Sequence, residues 1–218
     1  MKSQTIILAA MLGGFSVAQG ATAIVSTGTY AADTSGDNAL RGGWIDNGYN
    51  GTAGITFNVG AQNLSVTALG FYDGPNSAGA NTGSYTPDGL LEAHTVGIYD
   101  SSGVLQTSIT IPTTGTTLVG EFQYVNLPSS VVLLANQSYT IAGQITTANL
   151  DVWRNDTFAG AFTFGSGFTR DTSGATGSVP RAFSGPPTNN DYNDGVFRAT
   201  NNDGTGYAAG NFQYTVVP

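Results

Sequence analysis

From Ile24 onward apolar residues recur at every second position, in short runs set between Gly, Asn, Asp and Pro clusters, and no window holds a helical period of 3.6 residues. A period of two is the side-chain period of a half-buried strand, so the pattern predicts an all-β chain. Leu64–Tyr72 is apolar on both faces, as expected of a strand inside a sandwich. Ala93–Tyr99 and Val104–Ile111 read as a hairpin closed by Asp100-Ser101-Ser102-Gly103, with Gly103 where the turn needs a positive φ. Further strands are predicted at Phe122–Leu127 and Tyr139–Ala142, joined across Pro128 and the turn Ala135–Ser138, and then at Leu150–Arg154, Ala161–Phe164 and Asn211–Val217. Turn chemistry at intervals of about 8 to 12 residues points to an antiparallel β-sandwich, jelly-roll or immunoglobulin-like, in a single domain. Its expected core is Phe71, Val96, Ile98, Ile109, Phe122, Tyr124, Leu134, Ile141 and Val152. Two long loops remain, 73–89 and 169–210, and loops of that length are functional or disordered.

The first residues depart from this pattern. Lys2 precedes an apolar run from Ile6 to Val17, and Ala18-Gln19-Gly20-Ala21-Thr22-Ala23 supplies small residues. This is the layout of a secretory signal peptide over residues 1–23, cut after Ala23 on the A-x-A pattern, with Gly20 as the competing site. A buried helix is the alternative, but Gly13-Gly14 interrupts the run, and it falls short of the roughly 20 residues that span a bilayer. Residues 24–218 are then a secreted β domain. The chain of 218 residues has no Cys, so the domain rests on its core without a disulfide framework. Charged residues are 9% of the chain, the formal net charge is −8, and Lys2 is the only lysine. Such a surface cannot neutralise phosphates, which argues against nucleic acid or anionic lipid as a partner.

The order of several segments carries a resemblance. Phe57-Asn-Val-Gly-Ala-Gln-Asn-Leu-Ser-Val-Thr-Ala-Leu-Gly-Phe-Tyr-Asp73 is followed by Asp88-Gly-Leu, His94-Thr-Val-Gly-Ile-Tyr-Asp100, Gly103-Val-Leu, Phe122-Gln-Tyr-Val and Leu134-Ala-Asn-Gln-Ser-Tyr-Thr-Ile141. Together they resemble the extracellular β-sandwich ectodomains of bacterial proteins that carry a PEP-CTERM sorting signal, over about Gly54 to Ala142. The ending Tyr207–Pro218 is similar to the approach to that signal, which in the family continues into Glu-Pro, an apolar helix and a basic tail. The resemblance implies export and a place on the bacterial cell surface or in an exopolysaccharide matrix. Membrane contact is expected only through an anchor beyond Pro218. The family brings no catalytic residues with it.

Candidate chemistry is sparse. His94 is the only histidine, there is no G-x-S-x-G, and Cys-based catalysis is excluded, so the chain is expected not to be an enzyme. The alternation His94, Val96, Ile98 instead predicts a hydrogen-bonded structural histidine at a strand start. With fourteen acids a chance carboxylate pair is expected, and Asp37, Asp46, Asp73, Asp100 and Asp203 sit beside Gly, Ser or Asn, and Asp33 and Asp171 beside Thr, where Asp caps turns. Oxygen-rich loops make structural Ca²⁺ the candidate cofactor, with Asp73, Asn76 and Asp88 in one loop and Asp191 and Asp194 within Asn189–Gly195. Neither stretch is an EF-hand, since Asp194 stands where that motif needs glycine and no Glu closes the loop. Trp44, Tyr49, Tyr85 and Tyr192 are candidate sugar-stacking residues of a carbohydrate-binding module, whereas Trp153 alternates with Asp151 and is expected in the core. Thr- and Gly-rich strands without lysine guards leave sheet edges open to strand addition, with Ile24–Tyr30 as the natural donor. The expected partners are other copies of the chain or exopolysaccharide, and the expected role is structural or adhesive.

Overall fold

The alternating runs do form strands, and each buries its apolar set against a second layer. The computed structural model describes residues 20–26, 43–44, 51–73, 87, 89–145, 151, 153–155, 162–170 and 207–218, with no helix among them. The strands are β1 Ala21–Thr22, β2 Ile24–Ser26, β3 Gly43–Trp44, β4 Gly51–Val59, β5 Asn63–Tyr72, β6 His94–Asp100, β7 Leu105–Ile111 and β8 Thr117–Val119. They continue as β9 Phe122–Leu133, β10 Ser138–Ile145, β11 Trp153–Asn155, β12 Phe162–Phe164, β13 Phe168–Arg170, β14 Tyr207–Ala208 and β15 Gly210–Val217. Two five-stranded antiparallel sheets dominate, ordered β1-β15-β5-β9-β8 and β13-β4-β10-β6-β7. Small sheets β14-β11-β3 and β12-β2 accompany them. The chain is thus all-β, antiparallel and sandwich-like.

Between the large sheets the two inner faces meet through aromatic rings. Phe212 on β15 lies 5.2 Å from Phe57 on β4 and 5.7 Å from Phe168 on β13, centroid to centroid. Around them Leu69, Ile55, Val96, Ile98 and Ile141 are buried. The predicted hairpin forms β6 and β7, with His94 opposite Ile111 and Ile98 opposite Thr107. Asp100 Oδ1 accepts the N–H groups of Ser102 and Val104, and Gly103 takes φ 78°, so the turn is built by the residue types that predict it.

Two expectations fail for related reasons. Pro128 does not end its strand but lies inside β9, where the register against β5 slips. Val66 pairs with Val131 and Ala68 with Asn126, so β9 takes five steps while β5 takes two. A surplus of three is odd, and an odd surplus turns the following side chains to the opposite face. Phe122 and Tyr124 are buried on the even positions, but beyond the irregularity Leu133 is buried and Leu134, expected in the core, is 56% exposed. The strand β4 was not predicted, although Ile55, Phe57 and Val59 alternate with Thr56 and Asn58. Val152, expected in the core, lies outside the described residues. At the ends of the loop expected over 169–210, β13 runs to Arg170 and β14 begins at Tyr207, while 171–206 lies outside the described residues.

Burial pushes the phenols of Tyr99, Tyr124 and Tyr214 above their ordinary pKa, opposed in Tyr214 by the hydrogen bond that its hydroxyl donates to the Ser166 carbonyl. The neutral phenol is favoured only in the fold, so unfolded tyrosines ionise near pH 10 while these three stay protonated. Their contribution is present below about pH 10 and lost as the pH climbs through their raised values. Stability should therefore fall steeply on the alkaline side, with tyrosinate absorbance for these three residues rising together with unfolding; independent titration near pH 10 in the folded protein would refute this.

Candidate functional site

His94 opens β6 on the inward-facing parity shared with Val96 and Ile98, and it has no exposed surface. The facing sheet presents Phe71 from β5, whose ring lies parallel to the imidazole at 2° and 3.6 Å between centroids. Gly143 on β10 makes room for that ring, since a Cβ there would stand 2.9 Å from a ring carbon of Phe71. Two neutral rings avoid a face-to-face sandwich, whereas a cation over an aromatic face is attracted to it.

Hydrogen bonds hold the ring at both nitrogens. Nδ1 lies 2.9 Å from the carbonyl oxygen of Gln144, which can only accept, and Nε2 lies 2.9 Å from Asp151 Oδ2. Asp151 is itself buried and accepts backbone N–H groups from Leu91 on both oxygens, at 2.9 and 3.0 Å, and from Glu92 on Oδ2 at 3.0 Å. Asp151 thus gathers two backbone N–H groups and the imidazole, and both ring nitrogens of His94 are engaged in hydrogen bonds. The strand-start, hydrogen-bonded histidine predicted from the alternation is what the structure shows. Its partner, 57 positions away, was not predicted; the available signal was an acid within an otherwise apolar strand pattern at Leu150–Arg154.

Glu92 brings a third ligand type to this place: one atom each from Glu92, His94 and Asp151 lie within 4.8 Å of one another. A nitrogen and two carboxylates suit a zinc-class ion better than calcium, which takes oxygen ligands. The Gln144 carbonyl on Nδ1 is also the support a metal-binding histidine uses. A cation would nonetheless have to displace the proton between Nε2 and Asp151, from an oxygen that already accepts two backbone N–H groups. Chemically the group is better suited to fastening than to coordination or proton transfer, because neither ring nitrogen of His94 is open to a substrate.

Of the predicted calcium ligands, Asp73 is described and buried. Its Oδ1 accepts the Gly89 N–H at 3.0 Å, its Oδ2 accepts Gln123 Nε2 at 2.6 Å, and its own N–H donates to the Glu121 carbonyl at 2.8 Å. Asp73 thus joins the two ends of the 73–89 loop to the start of β9. Asn76, Asp88, Asp191 and Asp194 lie outside the described residues, as do Tyr49, Tyr85 and Tyr192. Trp44 is placed on β3, where the backbone register sets it opposite Trp153 of β11.

No family model and no curated protein matches this chain.

Replacing Asp151 by Ala would leave two backbone N–H groups and a buried imidazole without their acceptor. The expected loss is about 3–5 kcal/mol of unfolding free energy in a denaturant titration. Saturating zinc or a chelator should leave the wild-type midpoint unchanged. A loss below about 1 kcal/mol, or a midpoint that follows zinc, would remove the fastening role.

Proposed function

We propose that this chain is a secreted structural or adhesive protein of the bacterial cell surface or extracellular matrix, and that copies associate by strand addition at a sheet edge that no described strand covers. The observation that carries the reading is the contrast among the four edges of the large sheets. Three end in strands of two or three residues, β1, β8 and β13, while the fourth ends in β7, seven residues long. Short edge strands are one way a sheet blunts its edges, and lysine or proline on the strand is another. β7 has neither: Leu105-Gln-Thr-Ser-Ile-Thr-Ile111 carries no charge and no Pro. Exposed Val104 and Leu105 stand at its start. Unpaired main-chain groups along such a strand supply the affinity of strand addition, and the absence of charge removes the usual repulsion. The predicted donor has a partner within the chain at its beginning, since Ile24–Ser26 pairs with Phe162–Phe164. That makes β7, rather than the N-terminal segment, the surface on which association is proposed. The resemblance to PEP-CTERM ectodomains supports the same location and class.

The double substitution Gln106→Lys with Ser108→Lys places two charges at exposed positions of β7. Light scattering over a concentration series should show the wild-type mass growing and the variant remaining monomeric, with little change in thermal midpoint. A wild-type mass independent of concentration would sink the proposal.

A second reading, a carbohydrate-binding module, is favoured by the cross-strand placement of Trp44 opposite Trp153, residue types that stack on sugar rings. Trp44→Ala should then abolish retention on a glycan array while the far-ultraviolet spectrum is unchanged, and equal retention would count against it.

A further inference from the structure

We infer that the exported chain begins at Ala21, cut after Gly20, and not at Ile24 where the A-x-A pattern places the cut. The inference rests on reading the N-terminal apolar run as a signal peptide, and it is carried by what residues 20–24 do in the fold. Ala21 pairs with Tyr214 and Thr22 with Gln213, which makes β1 the outer strand beside β15. Ala23 has no exposed surface; its N–H donates to the Phe212 carbonyl at 2.9 Å, and its own carbonyl accepts the Gly165 N–H at 2.9 Å. Ile24 is buried too, and the side-chain amide of Asn211 stands in for a neighbouring strand beside it. The Ile24 N–H donates to Asn211 Oδ1 at 2.9 Å, and its carbonyl accepts from Asn211 Nδ2 at 2.7 Å.

A cut after Ala23 would remove β1, delete both hydrogen bonds of Ala23, and turn the buried Ile24 nitrogen into a charged α-ammonium. Burying a charge in that position is costly, and one carbonyl acceptor on Asn211 cannot replace its hydration. A cut after Gly20 puts the same charge on Ala21, which is exposed. The sequence permits it, because Ala18-Gln19-Gly20 offers small residues at the two positions that the processing enzyme reads.

The test is to express the full chain with its leader in a bacterium, recover it from outside the cytoplasm, and read its N-terminus by Edman sequencing and intact mass. Ala21-Thr22-Ala23 as the first residues is the expected result. A chain beginning at Ile24 overturns the inference while leaving the signal-peptide reading intact, and a chain retaining Met1 overturns that reading itself. As a second measurement, chains made to start at Ala21 and at Ile24 are compared by thermal unfolding. The longer should melt higher by about 5 °C or more, and equal midpoints would remove the structural ground for the cut.

Discussion

One buried hydrogen-bonded pair, His94 and Asp151, ties together elements that the chain keeps far apart in sequence. His94 and Asp151 join the start of β6, the end of β10 through the Gln144 carbonyl, and the backbone at Leu91 and Glu92. Polar groups taken out of water are costly unless their donors and acceptors are satisfied. Here they are satisfied by backbone groups, and the ring face is covered by Phe71. In a chain without cysteine, this contact spans 57 positions with a directional bond, which aromatic packing alone does not supply. Apolar contacts tolerate sliding. An imidazole held at both nitrogens does not, so the pair sets where β6 begins relative to β10.

Much of the fold was legible because a strand's signal is local. Alternation located β5, β6, β7 and β15 to within a residue or two, and Asp100 and Gly103 mark the turn between β6 and β7 by residue type alone. What was not legible is what depends on a partner strand. Leu134 and Leu133 are equivalent in composition and neighbours in sequence, and only the three-residue surplus of β9 over β5 decides which is buried. The Gly-rich start of β4 concealed a strand whose later half alternates plainly. At the site, the lone histidine could be assigned a structural place, but nothing local to Asp151 says that it faces His94.

The two large sheets treat their edges unequally. Among the described residues three are closed off by strands of two or three residues, one of which, β1, is formed by Ala21 and Thr22 beside β15. Asn211 extends the same economy, letting one side chain do for Ile24 what a whole strand would otherwise do. β7 stands outside this arrangement, and its uncharged composition is a property of the edge as much as of the residues.

Asp73 has a consequence for how the domain can change. By binding the Gly89 N–H while holding Gln123 and the Glu121 carbonyl, it fixes the two points at which the intervening segment leaves and rejoins the sandwich. Asp73 holds these two points together whatever length of chain runs between them. With both ends fixed, the closure entropy of a longer segment rises by about 0.6 kcal/mol for each doubling. The position is thus a natural insertion point, where new sequence can be acquired and diversified without the framework having to accommodate it.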